Sequence, residues 1–199
     1  MSQLNVDAIR NQGGSGGKIQ LLASGDVNIN DNKLYVDSAT SKVGINTNDP
    51  RAVLEVEGNG GVILKTSPIA EKINNVSGTS NANATINAYN GSVTLFTSAN
   101  TANWTPNITY TDGGSVTTLN AYMENSEVVV ITIISQNGSS SGYVPGNIQV
   151  DGVSRTTEWS GGNAPTARGG TGGYDVYAFS VIKTGDNAFV VLGQVSFFN

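Results

Sequence analysis

KIQLLASGDVNINDNKLYVDSATSKVGINTNDPRAVLEVEGNGGVILKT, residues 18–66, decides how the chain folds. An apolar-x-apolar pair recurs through it: Ile19/Leu21, Val27/Ile29, Leu34/Val36, Val43/Ile45, Leu54/Val56 and Val62/Leu64. Their first members stand 8, 7, 9, 11 and 8 residues apart. Residues i and i+2 of an extended chain point to the same side, so each pair predicts a short strand with one narrow apolar face. Turn residues fill the gaps, among them Ser24-Gly25-Asp26, Asn48-Asp49-Pro50 and Gly58-Asn59-Gly60-Gly61. Two apolar residues per strand cover little area. At roughly 25 cal/mol per Å² they do not offset the entropy of ordering a lone chain. Three chains wrapped about an axis would give every face a partner, whereas a monomeric β-solenoid needs a more regular repeat than these spacings. The stretch therefore reads as a fibrous, intertwined, homotrimeric β shaft.

Composition agrees with an all-β protein. Only 13% of the 199 residues are charged, and 25 are glycine. Gly, Asn, Ser and Thr form helices poorly and turns or strands well. Apolar residues recur throughout, which argues against disorder. The net charge of −5 offers no footprint for nucleic acid or an anionic membrane. With no cysteine there are no disulfides and no thiolate chemistry, and with no histidine the commonest general base is missing. No cofactor, metal or enzymatic activity is expected. The start, MSQLNVDAIRNQGG, does not read as a signal peptide, and no run approaches the roughly 20 apolar residues of a membrane span. If the protein works outside the cytoplasm of the cell that made it, release by lysis inside an assembled particle is one route consistent with this start.

Four segments are predicted. Residues 1–17 form an anchoring lead ending in a hinge, Gly13-Gly14-Ser15-Gly16-Gly17, and residues 18–66 form the shaft. Residues 67–101 form a connector that ends in a β-hairpin about Asn90-Gly91, because Asn-Gly between alternating runs favours a two-residue turn. Residues 102–199 form a β-sandwich or jelly-roll-like head. Its expected strands are Val116–Met123, Val128–Ile134, Tyr174–Ile182 and Ala188–Val195, the second so apolar that it belongs in the centre of a sheet. Two long Gly-rich loops, 136–146 and 160–173, separate them.

Several motifs invite chemical readings. Asp26-x-Asn28-x-Asn30-Asp31 has the start of a calcium loop but lacks its glycine and its twelfth-position glutamate. Arg168-Gly169-Gly170 carries a single arginine and no phosphate-loop lysine, so it reads as a surface loop. Asn-x-Ser/Thr tripeptides such as Asn75-Val76-Ser77 follow from composition. A glycosidase would need two facing carboxylates, from Glu124, Glu127, Glu158 or Asp175. Aromatics near polar loops make platforms for sugars or protein partners at low entropy cost. Tyr143, Trp159, Arg168 and Tyr174 are accordingly the candidate receptor-binding residues. For Trp104 and Trp159 the competing role is to fill the core.

Lys33-Leu-Tyr-Val-Asp37, Lys42-Val-Gly-Ile-Asn-Thr-Asn-Asp-Pro50 and Ala52-Val-Leu-Glu-Val-Glu-Gly58 together resemble a segment common in bacteriophage tail fibres, LxVDxxxxxVGIGTxxPxxxLxVxG. Asn46 stands where that pattern has its second glycine. Leu4–Asn11 resembles the lead of fibre proteins from marine and cyanobacterial phages. Trp159–Pro165, Tyr174–Ile182 and Val190–Gly193 are similar to the terminal head of such proteins. Many such fibres end in a self-cleaving chaperone domain with a Ser/Lys dyad; the resemblance does not extend to one here. It implies a homotrimeric virion appendage, bound to baseplate, tail or collar proteins through its N-terminus. Its head would adhere without covalent chemistry to a host surface glycan or outer-membrane protein, with no nucleic-acid partner and no membrane insertion. The alternative is a virion structural component that binds no receptor: a head-decorating fibre, baseplate or collar protein.

Overall fold

The computed structural model describes residues 8–10, 18–58, 62, 70–80, 84–138, 142–166 and 172–198. The chain is almost entirely β and divides into two compact units, residues 1–68 and 69–199.

In the first unit β1 (Ala8–Arg10), β2 (Lys18–Leu21), β3 (Val27–Ile29), β4 (Leu34–Asp37), β5 (Lys42–Ile45) and β6 (Leu54–Val56) lie side by side in chain order. The first five form an antiparallel meander, and β6 joins β5 in parallel. The lead thus contributes a strand to this sheet, with Ile9 opposite Ile19. Val62 is exposed and outside any strand, so the sixth pair makes no β-pairing at that residue; Leu64 and the Gly13–Gly17 hinge lie outside the described residues.

Register explains the pairs. Leu21, Val27, Val36, Val43 and Leu54 stand opposite one another across successive strands, and Ile19, Ile29 and Leu34 form a neighbouring row. All lie on one face of the sheet. None of them belongs to the hydrophobic core, which is confined to the second unit, and Leu54 is 60% exposed. Asn46 adopts φ +62°, the left-handed conformation that glycine enters most freely. The Asn46 amide adds a bond of its own, from Nδ2 to the Glu57 carbonyl (3.0 Å).

The turn before β3 is locked by Asp26. Its carboxylate accepts from Ser24 Oγ (2.7 Å), Tyr35 Oη (2.5 Å), and Ser38 N and Oγ (2.7 and 2.8 Å). These donors, Ser24 and Tyr35 foremost, hold it well below the usual carboxylate range, and the same bond pushes the Tyr35 phenol up to about 12. Asn28 is likewise engaged, with Asn32. The calcium-like motif is therefore turn chemistry.

The second unit holds two sheets, and its first six strands alternate between them. β7 (Asn74–Val76), β9 (Val93–Phe96), β11 (Val128–Gln136), β14 (Thr157–Trp159), β15 (Tyr174–Gly185) and β16 (Ala188–Phe198) form a six-stranded sheet of order β14-β16-β15-β11-β9-β7. β8 (Thr85–Asn87), β10 (Asn107–Thr109), β12 (Gln149–Val150) and β13 (Val153–Ser154) form a four-stranded one. β7, β9 and β11 are mutually parallel, as are β8, β10 and β12. β11 occupies the sheet interior, as its apolar run requires, between β9 and β15. One core joins the sheets: Ile86, Ile108 and Val150 from the smaller meet Ile131, Ile133, Tyr177, Phe179 and Val181 from the larger.

Two expectations are corrected. The Asn90-Gly91 hairpin does not form: β8 and β9 belong to different sheets, and a single 3₁₀ turn at Ala88–Asn90 carries the chain between them. β7, β8 and β9, which fall within the segment 67–101 read as a connector, pair in the second unit's sheets. Val116–Met123 is no strand but encloses a one-turn helix, α1 (Leu119–Tyr122). Thr118 Oγ1 accepts from Ala121 N, and the distant Asp151 carboxylate accepts from Leu119 N (2.8 Å) and Asn120 N (2.9 Å), so the first amides of the turn are satisfied. Lys183 Nζ closes the other end on the Asn120 and Met123 carbonyls.

Asp26→Asn removes the charge that four donors address. Because the native carboxyl is depressed, its contribution is fully present above the ordinary carboxylate pKa of about 4 and is lost as pH falls below it. Thermal unfolding followed by far-UV circular dichroism should show the variant melting lower than the parent at pH 7, with the gap closing below about pH 4.

Candidate functional site

β11 ends and β15 begins at the same edge of the six-stranded sheet, where Gln136 pairs with Tyr174 and Tyr174 with Phe198. The long loops 137–146 and 160–173 both reach this loop end. Asn137 N donates to the Gly173 carbonyl (2.9 Å), and loop 160–173 returns the chain to Tyr174. β7 runs parallel to β11 and therefore towards the loop end, so the chain enters the unit, at residues 70–73, from the other side.

The candidate residues fare differently. Tyr174 is exposed at the loop end. Tyr143 is half-buried in the segment beside Trp104, whose amide donates to the Val144 carbonyl (3.4 Å). Arg168 lies outside the described residues. Trp159 sits on the edge strand β14 with its ring on the core side. It meets Phe179 edge-on, centroids 5.7 Å apart, and covers Gly193, where a Cβ would come within 2.9 Å of the ring. It is half-buried and packs against the core. Trp104 belongs to the core, edge-on to Tyr177 at 5.6 Å.

Beneath the loop end lies a polar cluster that the sequence did not announce. Asn100 Oδ1 accepts from Ser80 N (2.9 Å) and Ser80 Oγ (2.8 Å), and Asn100 Nδ2 donates to Ser135 Oγ (2.7 Å). All three residues are buried. Asn100 N donates to the Gln136 carbonyl, tying the segment after β9 to the end of β11. On the same face Tyr177 Oη donates to the buried Asp175 (3.1 Å); burial first, then this neighbouring carboxylate, pushes the phenol far above its ordinary range. The signal was present: Ser135 and Asn137 continue the inward alternation of Ile131 and Ile133.

The carboxylates do not converge for hydrolysis. Glu158 pairs in register with Leu192 and so faces outward, whereas Asp175 faces the core. Glu127 Oε2 accepts from the Glu124 amide in the turn before β11. A groove of about 400 Å³ does lie on the outward face, floored by Ala178 and Ser180 and walled by Glu158, Leu192 and Gln194. Among its described lining residues Glu158 is the one carboxylate.

At the opposite end of the unit Tyr110 stacks on Tyr122 (3.9 Å, 8° between planes), with the exposed Tyr89 edge-on to Tyr110 at 5.7 Å. This second aromatic patch was also missed, because its three members come from separate elements. No family model, no curated protein and no solved structure matches the chain.

Asn100→Leu keeps approximate volume but strands the Ser80 amide and leaves the Ser80 and Ser135 hydroxyls only each other, at 3.0 Å. Urea unfolding should show a loss of about 1–3 kcal/mol, the cost of leaving buried polar groups unpaired.

Proposed function

We propose that the chain is a short trimeric virion appendage of the tail-fibre kind. The first unit would serve as stalk and the second as head, attaching without covalent chemistry to a host surface. The observation that carries this reading is the first unit's apolar face. Five strands present their pairs on one side, and no described residue of that unit belongs to the hydrophobic core. Other copies of the chain would give such a sheet its core. The resemblance of residues 33–58 to a phage-fibre segment adds the biological setting, and Asn46 in a glycine-like conformation supports it at the residue level.

Adhesion is assigned to the loop end. It lies away from the chain's entry to the head, carries Tyr174 and the Tyr143 segment, and is held from below by the Asn100 cluster. Three equivalent ends would make weak contacts adequate through avidity. The ligand class is a host surface glycan or outer-membrane protein, and virion proteins are the partners of the stalk's start. No catalytic step is part of the proposal.

Light scattering of the purified full chain at micromolar concentration should give three times the 20.6 kDa of one chain; a monomer there sinks the reading. Tyr143→Ala with Tyr174→Ala should then weaken binding to host cells at least tenfold while the mass stays trimeric. Unchanged binding would move the site away from the loop end. A head found buried among other virion proteins by electron microscopy would favour the purely structural role.

A further inference from the structure

The six-stranded sheet has a second face that no other part of its own unit's core covers. Registers across β11, β15 and β16 place Val128, Ile182 and Val190 in one row, Val130, Ser180 and Leu192 in the next, and Gln136, Tyr174 and Phe198 in the last. Val128, Val130, Val190, Leu192 and Phe198 are all exposed, Phe198 to 57%, while Tyr174 stands at the loop-end margin of the face. On a sheet wetted on one side the polar residues point outward. Here β15 does the reverse: its two charged residues, Asp175 and Lys183, are buried on the core side. The outward positions of β9, β11, β15 and β16 carry no charge at all. Glu158 on β14 marks the rim. The continuous run Val128–Ile134 is the signature of a strand covered on both faces.

We infer that this outward face is the interface between copies of the head, a deepening that rests on the trimeric reading above. Three observations select another copy as the occupant. The chain carries a net charge of −5, so copies repel except where a surface is free of charge, and this face is such a surface. Five large apolar side chains left half in water, with the half-buried residues between them, expose on the order of 500 Å². That is beyond the few hundred usual for a monomer and approaches the roughly 800 Å² per partner of a stable interface. The first unit also leaves an apolar face uncovered, and one self-associating partner covers both faces with a single stoichiometry. The hollow over Ala178 and Ser180 is then a socket for a neighbouring side chain.

The chain has no cysteine, so a single introduced thiol reports on one place. Val130 on this face and Val153 on the smaller sheet are matched in exposure, 52% and 53%. In the full-length trimer, Val130→Cys should react with a maleimide at least tenfold more slowly than Val153→Cys. The two rates should converge on dilution to monomer. Equal rates in a particle of trimeric mass would overturn the interface while leaving the trimer standing. Protection that persists in the monomer would also overturn it, since the cover then belongs to the same chain. A monomeric parent would remove both readings. If Val130→Cys disturbs folding, Val130→Asp with Leu192→Asp supplies the second arm. It should reduce the mass to one chain with an unchanged circular dichroism spectrum, whereas Val153→Asp stays trimeric, and a trimeric double variant overturns the proposal.

Discussion

A β-sheet has two faces, and a chain of this length has apolar residues enough to dress both faces of its sheets but mass enough to cover only one. That constraint organises both units. In the first, the pairs from Ile19 to Leu54 align on one side, and none of these residues belongs to the hydrophobic core. In the second, Ile131, Ile133, Tyr177 and Phe179 close a dry core against Ile86 and Ile108, and the reverse of the same strands presents Val128, Val130 and Leu192 to the outside. Burying a residue of this size stabilises by about 1.5–3 kcal/mol, so leaving so many exposed is a large deficit for a lone molecule. Association is the physical remedy that the pattern calls for.

Polar groups do the positioning. Asp26 gathers four donors to fix one turn, and Asp151 and Lys183 bracket a single helical turn. Asn100 and Ser135 tie two segments together under the loops. None of these groups needs a reactive partner, and each has a structural task in view. The surfaces available for recognition are therefore the loop end and the tyrosine patch.

Period-2 alternation made the short strands of the first unit legible, because strand direction is a local property. It also showed β11 to be central. Pairing was less legible. Asn90-Gly91 has the chemistry of a hairpin turn, but turn chemistry cannot reveal that the flanking runs join different sheets. Val116–Met123 read as a strand because the group that caps it, Asp151, lies some thirty residues away in sequence. Of the site, Tyr143 and Tyr174 were visible as loop aromatics. The direction of the Trp159 ring depends on Gly193 having no side chain across the ladder, which no local pattern records.

The alternation of β7 to β12 between two sheets has a consequence for how such a head changes length. Each strand is laid parallel to the one two steps earlier, so the chain is wound like a coil rather than folded back like a ribbon. A coil grows or shrinks by whole turns, one strand added to each sheet at once. Removing a single strand would send every later segment to the wrong layer. Variation in this region is thus quantised, while the loops that leave the winding remain free to lengthen residue by residue.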